Sequence, residues 1–152
     1  MEHPGTPIMH VGKFARGIGQ FSAVDYRPLA AEGPDKDYPF TLTTSRKLYQ
    51  YHTRSMSGKT EGLNQLLSQE RMEINPLDAE GLGLTADDLV KVVSRRGSIK
   101  TKIQITDKVP PGIVSMSFHF IDTPTNTITN PAICYMSVAS GVKAAAVQIE
   151  KV

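Results

Sequence analysis

Alternation between apolar and polar residues predicts that most of this chain is β-strand. The segment PFTLTTS, residues 39–45, alternates and is rich in β-branched side chains. Residues 88–94, DLVKVVS, and residues 98–105, SIKTKIQI, flank Arg95-Arg96-Gly97, which predicts a hairpin with a tight turn. Gly97 would be required there if the turn takes it to positive φ. Residues 72–74, 113–118 and 143–152 predict further strands.

The second arm of this hairpin indicates which of its faces is buried. Positions 99, 101, 103 and 105 are Ile, Thr, Ile and Ile and share one face of a strand. Positions 100, 102 and 104 are Lys, Lys and Gln and share the other. We therefore expect a sheet with one face in the core and one in water.

Two short helices interrupt the predicted strands. Residues 60–67, TEGLNQLL, predict the first. For the second, Asn75 suits the N-cap, Pro76 the first helical position and Asp78 the positive end of the helix dipole. Gly81-Leu82-Gly83 predicts its end, because glycine tolerates a left-handed backbone. Residues 38–152 thus predict a mainly β, compact barrel with short helical insertions.

Residues 1–37 differ from the rest of the chain. Glycine and proline recur at short intervals, and no apolar period is sustained. We interpret this segment as an extended connector arm, in which Phe14 and Phe21 could dock on something larger. A tail without any partner fits the composition equally well.

Composition and charge exclude several classes of protein. At 152 residues the chain fits one domain, and a formal net charge of +2 is too balanced to indicate a nucleic-acid-binding protein. No stretch approaches the roughly 20 apolar residues of a membrane span, so no membrane contact is expected. The single cysteine excludes an internal disulfide and fits a reducing compartment, so we expect a cytoplasmic location.

No motif indicates catalysis or a metal site. The four histidines are widely separated and no HExxH occurs, which argues against a metal held by this chain. No GxSxG, Walker loop or GxGxxG is present either. We therefore assign no catalytic and no metal-ligating residue.

Residues 43–53 carry an unusual number of hydrogen-bond donors. Arg46 can contact two oxygens at once, Lys47 adds a point charge, and the hydroxyls at 43–45 can orient an anion. Tyr51 and His52 combine a polar tip with a surface on which a base or pterin can stack. A solvated strand-to-loop segment is the alternative interpretation.

Three ordered motifs resemble those of the C-terminal molybdopterin-dinucleotide-binding domain of molybdenum or tungsten oxidoreductases. The first comprises Thr44-Ser45-Arg46, then Tyr51-His52-Thr53 and Met56. The second is INPLDAEGLGLTADDLVKVVSRRGSI, and the third is GIVSMSFHF followed by Asn126 and TNP. Within that family, the run from Tyr38 to Val152 is most similar to the catalytic (alpha) subunit of formate dehydrogenases, and the arm resembles the connector into this domain.

The resemblance implies an aspartate-decarboxylase-like double-psi β-barrel that binds molybdopterin guanine dinucleotide. The cofactor-binding positions that it implies are Arg46, Lys47, Leu48, Gln50, His52, Thr53, Phe118, His119, Asn126 and Lys143. Phe118 and His119 would lie against the cofactor, and Asn126 would lie near the pterin. At Lys143 the sequence departs from the family, because Val142 stands where an aromatic residue often precedes the lysine.

The resemblance also implies what this chain lacks. In the family, earlier domains supply the protein ligand of the molybdenum or tungsten, and Cys134 does not match that ligand's motif. Iron–sulfur cysteines are absent from the sequence. The implied partners are therefore the remaining domains of the catalytic subunit and iron–sulfur electron-transfer domains or subunits. We expect the isolated chain to be inactive.

Two alternative functions remain open from the sequence. One is a separately encoded cofactor-binding small subunit of the formylmethanofuran dehydrogenase type. The other is a partner-binding double-psi barrel such as those beside ATPase rings, which would leave the donors from Arg46 to Thr53 unexplained.

Overall fold

The computed structural model describes residues 10–23, 25, 32–132 and 144–152. The strands are β1 (Phe40–Thr44), β2 (Arg71–Ile74), β3 (Leu89–Ser94), β4 (Gly97–Ile105), β5 (Ile113–Met116) and β6 (Ala145–Lys151). The helices are α1 (Glu61–Leu66) and α2 (Pro76–Gly81), and single 3₁₀ turns span Ser57–Lys59 and Thr125–Thr127. Among these residues, no helix is long and apolar enough to cross a membrane.

The six strands close into a barrel in the order β1-β5-β2-β4-β3-β6. β1 pairs in parallel with β5, and β2 pairs in parallel with β4. All the other neighbouring pairs are antiparallel. This topology, with its short helices between strands, confirms the expected double-psi β-barrel.

Strand direction places three of the connections between strands at one end of the barrel. β1, β3 and β5 run in one direction, and β2, β4 and β6 run in the other. One end, called the loop end below, therefore carries residues 45–70, the β3–β4 turn and the connection from β5 to β6. The predicted cofactor-binding residues that the structure describes all fall in these connections.

Inward-facing side chains of all six strands fill the barrel. Leu42, Ile74, Val92, Ile103 and Val147 are almost entirely buried in one apolar cluster. Fully burying such a side chain contributes about 1.5–3 kcal/mol relative to leaving it in water. Along β4, burial alternates as the sequence pattern predicts, with Ile99, Thr101 and Ile103 inside and the lysines between them exposed.

Helix α2 begins and ends as its sequence predicts. Asn75 is the N-cap, and its Oδ1 accepts a hydrogen bond from the Leu77 amide at 3.0 Å. Its Nδ2 donates to the Val109 carbonyl at 2.8 Å, so the cap also holds the connection between β4 and β5. After the C-cap at Leu82, Gly83 turns the backbone away with φ +62°.

The β3–β4 turn corrects the expectation about Gly97. Ser94 pairs directly with Gly97, so Arg95 and Arg96 form the two-residue turn, and none of these residues has a positive φ. A Cβ at Gly97 would meet only the Thr127 carbonyl oxygen, at 3.7 Å. The turn therefore does not depend on a left-handed glycine, and the idea that a positive φ requires Gly97 is wrong.

The predicted boundary between arm and barrel, at residues 37 and 38, lies next to residues that are held against the barrel by ion pairs. Glu32 and Asp35 form ion pairs with the β3–β4 turn, and Glu32 also accepts a hydrogen bond from Ala146 in β6. By contrast, residues 10–23 and 25 are all exposed. The division of the chain into an arm and a barrel domain stays a prediction.

Candidate functional site

The donor-rich segment of the sequence leaves the barrel at the end of β1. Ser45 continues the pairing with β5, since its amide donates to the Met116 carbonyl at 2.8 Å. The hydroxyls of Ser45 and Ser115 lie 2.9 Å apart. The next residue, Arg46, is exposed, and its side chain contacts no polar partner in the part of the chain that the structure describes.

The neighbouring cation is in a different position. Lys47 Nζ lies 2.6 Å from Glu73 Oε1, and the two side chains are only 18% and 17% exposed. This ion pair compensates the charge of Lys47, whereas the charge of Arg46 has no counter-ion among the described residues. The structure thus distinguishes two residues to which the sequence gives similar roles.

His119 holds the loop that follows Arg46. Its ring is 1% exposed, and its Nε2 accepts a hydrogen bond from the Lys47 amide at 3.0 Å. Its Nδ1 faces the carbonyl of His52. Because Nε2 accepts, the proton belongs on Nδ1, which then donates to the carbonyl. Residues 47–52 are therefore folded around a neutral imidazole.

A buried carboxylate supports this histidine, and sequence reasoning missed it. Glu70 is 4% exposed, and its Oε1 accepts from the Ser117 amide at 3.1 Å. The Ser117 hydroxyl donates to Glu70 Oε2 and accepts from the His119 amide at 3.3 Å. Glu70 belongs to no motif, and although Ser117 lies within GIVSMSFHF, nothing in the sequence pairs it with a carboxylate 47 positions away.

Gln50 also uses its polar atoms inside the protein. It is buried, its Nε2 donates to the Leu67 carbonyl at 2.9 Å, and its Oε1 accepts from the Ser57 hydroxyl at 2.8 Å. The same hydroxyl accepts from the Tyr51 amide at 3.1 Å. Gln50 therefore links the loop to the segment before β2, and direct contact of Gln50 with a ligand stays a prediction.

The far end of the loop is exposed and turns sharply. His52 and Thr53 face solvent, and the rings of Tyr51 and His52 meet edge to face at 4.5 Å. His52 and Arg54 have φ values of +44° and +63°, which non-glycine residues seldom adopt. Such a backbone persists only where its surroundings hold it.

Arg54, which no motif singled out, provides part of that support. Its guanidinium lies 4.5 Å from the centre of the Phe120 ring, and its Nη2 donates to Asn64 Oδ1 at 2.6 Å. The side-chain Nδ2 of Asn64 in turn donates to the Gly58 carbonyl at 2.7 Å. These contacts join the loop after β1, helix α1 and the connection after β5.

Two grooves flank the Lys47–Glu73 ion pair. The larger, of about 610 Å³, follows the outer side of β1 and β5 and combines hydroxyls with the cations Arg46 and Lys108. The smaller, of about 340 Å³, is lined by the exposed Leu48 and Tyr49 among others. The predicted residues Arg46 and Leu48 thus lie in different grooves, with Lys47 between them.

The remaining predicted residues are spread along the connection between β5 and β6. Phe118 is half-buried, with its ring 5.2 Å from that of His119. Asn126 is exposed in the 3₁₀ turn, and its carbonyl accepts from the Thr129 hydroxyl at 3.0 Å. Lys143 and Cys134 lie outside the described residues.

The side chains that the described site leaves available are suited to binding a ligand. Among the described residues, no group of three or more His, Cys, Asp or Glu side chains is placed to hold a metal ion. The one predicted histidine with buried ring nitrogens uses both on backbone groups. What remains available is a guanidinium, hydroxyls and exposed rings, which suit an anionic, partly aromatic ligand.

Comparison with known proteins agrees with this description. Residues 40–146 match the family model described as the molydopterin dinucleotide binding domain. The fold is similar to that of acetylene hydratase from Pelobacter acetylenicus, with a TM-score of 0.65 over 77% of this chain and 19% of that protein. The sequence identity is 13%, so this second likeness concerns the fold alone.

Curated relatives extend the match to the arm. The chain is 43% identical over 152 residues to the alpha subunit of F420-dependent formate dehydrogenase from Methanocaldococcus jannaschii. It is 38% identical to the alpha subunit of F420-dependent formate dehydrogenase 2 from Methanococcus maripaludis. Each alignment covers 99% of this chain but only 22% of the relative, and the matching part is the relatives' C-terminal region. With more than half of its length matched by the domain model, the chain belongs to the molydopterin dinucleotide binding domain family.

Proposed function

We propose that this chain is the C-terminal domain of a formate dehydrogenase-like oxidoreductase and that its loop end holds molybdopterin guanine dinucleotide. The observation that carries the proposal is the state of Arg46. Its guanidinium is exposed without a polar partner among the described residues, at the rim of a groove lined by hydroxyls. A free arginine beside hydroxyl groups suits the oxygens of phosphate or guanine.

The described residues fit such a cofactor in two ways. Arg46, Leu48, His52, Thr53 and Asn126 present exposed side chains that would touch it. Lys47, Gln50, Phe118 and His119 are partly or fully buried, and their contacts support a role in which they shape the loop. Lys143 is proposed as a further cationic contact on the resemblance alone.

This fit separates the role of the cofactor from the role of this chain. The bound cofactor supplies redox chemistry at molybdenum or tungsten, which other domains would hold. This chain's own residues bind and orient the dinucleotide end and keep water from one side of it. We propose formate as the substrate, and we propose that iron–sulfur domains or subunits complete a cytoplasmic enzyme.

The relatives favour this proposal over the two alternatives. In the formate dehydrogenase alpha subunits, the matching region belongs to a much longer polypeptide, which disfavours a separately encoded small subunit. The family match disfavours a barrel that binds only protein partners, because the family's description names a dinucleotide as the ligand.

The test is to replace Arg46 with Ala in the complete catalytic subunit that contains this domain. A charge-assisted contact contributes roughly 1.5–3 kcal/mol, so we expect about 10- to 100-fold weaker cofactor retention. Molybdenum or tungsten and guanine nucleotide are measured per subunit, and turnover is normalised to loaded enzyme. Normalised turnover should be unchanged.

The matched control is Lys100→Ala, which removes an exposed cation from the outer face of β4, away from both grooves. Its cofactor content should equal that of the unaltered subunit. A fully loaded but slow Arg46→Ala enzyme would instead place Arg46 in the reaction. An equal loss of cofactor in both variants would mean that the effect comes from the overall charge of the protein and not from a contact made by Arg46.

A further inference from the structure

We propose that the arm is a docking strap for the preceding part of the catalytic subunit. Its anchors are Val11, Phe14, Ile18 and Phe21. The inference rests on the proposed function in one respect, because it takes the partner to be the rest of a formate dehydrogenase-like alpha subunit. It concerns a different surface from the loop end.

In the described part of the arm, large apolar side chains are exposed to solvent. Residues 10–23 and 25 are all exposed, and the four anchors are 70%, 58%, 92% and 106% exposed in chain order. Gly12 and Gly17 have φ values of +72° and +81°, so the segment is not a helix that could bury one face. Side chains of this size gain free energy only when another surface covers them.

The alignments favour the preceding part of the same subunit as the source of that surface. The domain model begins at residue 40 and so excludes the arm. The relatives, however, align over 99% of this chain, so the arm belongs to the region shared with formate dehydrogenase alpha subunits. Because the chain covers only 22% of those subunits, they contain a large preceding region that an arm at this position can meet.

The barrel fixes the point from which the arm departs. Glu32 Oε2 accepts from Arg96 Nη1 at 2.6 Å, and Oε1 accepts from Arg96 Nη2 at 3.0 Å and from Arg95 Nη1 at 2.9 Å. Oε1 also accepts from the Ala146 amide at 3.0 Å, and the Glu32 side chain is only 9% exposed. Restricting one end of a binding segment lowers the entropy lost when the remainder docks.

The experiment uses the full 152-residue chain and, as the probe, the preceding part of the Methanocaldococcus jannaschii alpha subunit produced as a separate polypeptide. Binding is measured by calorimetry without added cofactor, and hydrogen exchange of residues 10–23 is followed with and without the probe. We expect binding, protection of these amides, and about ten-fold or greater weakening in a Phe14→Ser, Phe21→Ser double variant. Leu77→Ser is the control, because Leu77 is 67% exposed on α2 at the other end of the barrel.

Several results would overturn the proposal. They are absence of binding by the unaltered chain, equal weakening by the control, or self-association of the chain that depends on Phe14 and Phe21. The last would make a second copy the occupant. Cofactor content does not enter these measurements, so a failed cofactor-binding function and a failed docking strap give distinct results.

Discussion

Arg46 and Lys47 show how much the environment of a single residue matters. Both are cations beside the end of β1, yet Lys47 is paired with Glu73 at 2.6 Å while Arg46 has no polar partner among the described residues. An ion pair that is half-buried on both sides holds its lysine in place and leaves little net charge for a ligand. At this scale, the ability to bind an anion therefore depends on which carboxylates the fold brings near each cation.

His119 provides the test at the residue scale. Replacing it with Gln should lower the free energy of unfolding by about 1–3 kcal/mol, because a flexible amide cannot satisfy both the Lys47 amide and the His52 carbonyl as the ring does. His119→Phe should cost more, since it leaves both backbone groups unpaired. Urea unfolding monitored by circular dichroism gives the values.

The control for this test is His52→Asn. The His52 side chain is exposed, and asparagine tolerates its positive φ, so stability should change little. If His119→Gln is as stable as the unaltered chain, the buried ring is not what holds residues 47–52.

Among the elements, α2 shows how local sequence alone can define a boundary. Asn75 caps it, Pro76 begins it, and Gly83 follows its C-cap with φ +62°. The β3–β4 turn shows the reverse, since its glycine suggests a special backbone that the structure does not contain. The backbone conformation at a helix end depends on a few adjacent groups, whereas the conformation of a hairpin turn also depends on the strands that it joins.

Two glycines near the end of α2 offer a matched pair for measurement. Gly81 is helical, and an added Cβ would have open space, so Gly81→Ala should stabilise the protein by about 0.5–1 kcal/mol. Gly83→Ala should destabilise it by about 1–2 kcal/mol, because alanine is strained at positive φ. Chemical denaturation of both variants is the measurement, and equal shifts in the same direction would contradict the assignment.

At the scale of the whole molecule, charge pairing connects segments that are distant in sequence. Glu32 meets Arg95, Arg96 and Ala146, and Arg95 also pairs with Asp35 and lies 4.5 Å from the centre of the Tyr38 ring. This clamp holds the residues before β1 against the β3–β4 turn and the start of β6. It therefore links the chain's entry into the barrel to the loop end.

The clamp makes a prediction about pH. Burial alone would raise the pKa of the Glu32 carboxyl, but hydrogen bonds from Arg96, Ala146 and Arg95 and the charge of Arg96 outweigh it and lower that pKa below 4.5. A lowered pKa in the folded state stabilises the fold above pH 4.5, and this contribution is lost as the pH falls through the folded-state value. Glu32→Gln should therefore be less stable than the unaltered chain at neutral pH, by about 1–3 kcal/mol.

The difference between the two proteins should shrink as the pH falls below 4.5. Unfolding free energies are measured at several pH values, with Glu61→Gln as the control, because Glu61 is exposed and has no side-chain partner among the described residues. A difference that does not vary with pH would mean that the Glu32 charge contributes nothing to the fold.

The sequence by itself determined the strands, the two helices and the donor-rich loop after β1. These features depend on alternation, capping residues and residue type, which act over a few neighbouring positions. Ordered motifs at characteristic spacing also sufficed to identify the family and thereby the barrel. Local pattern and resemblance together therefore placed Arg46 at the end of a strand.

The tertiary structure alone decided which donors are available and which are used internally. That Lys47 meets Glu73, that His119 holds residues 47–52, and that Glu70 anchors Ser117 all depend on contacts between residues that are distant in sequence. The same holds for the Glu32 clamp, whose partners lie more than sixty positions away. Side-chain identity sets what a residue can bind, but burial and pairing, which only the folded chain defines, set what it does bind.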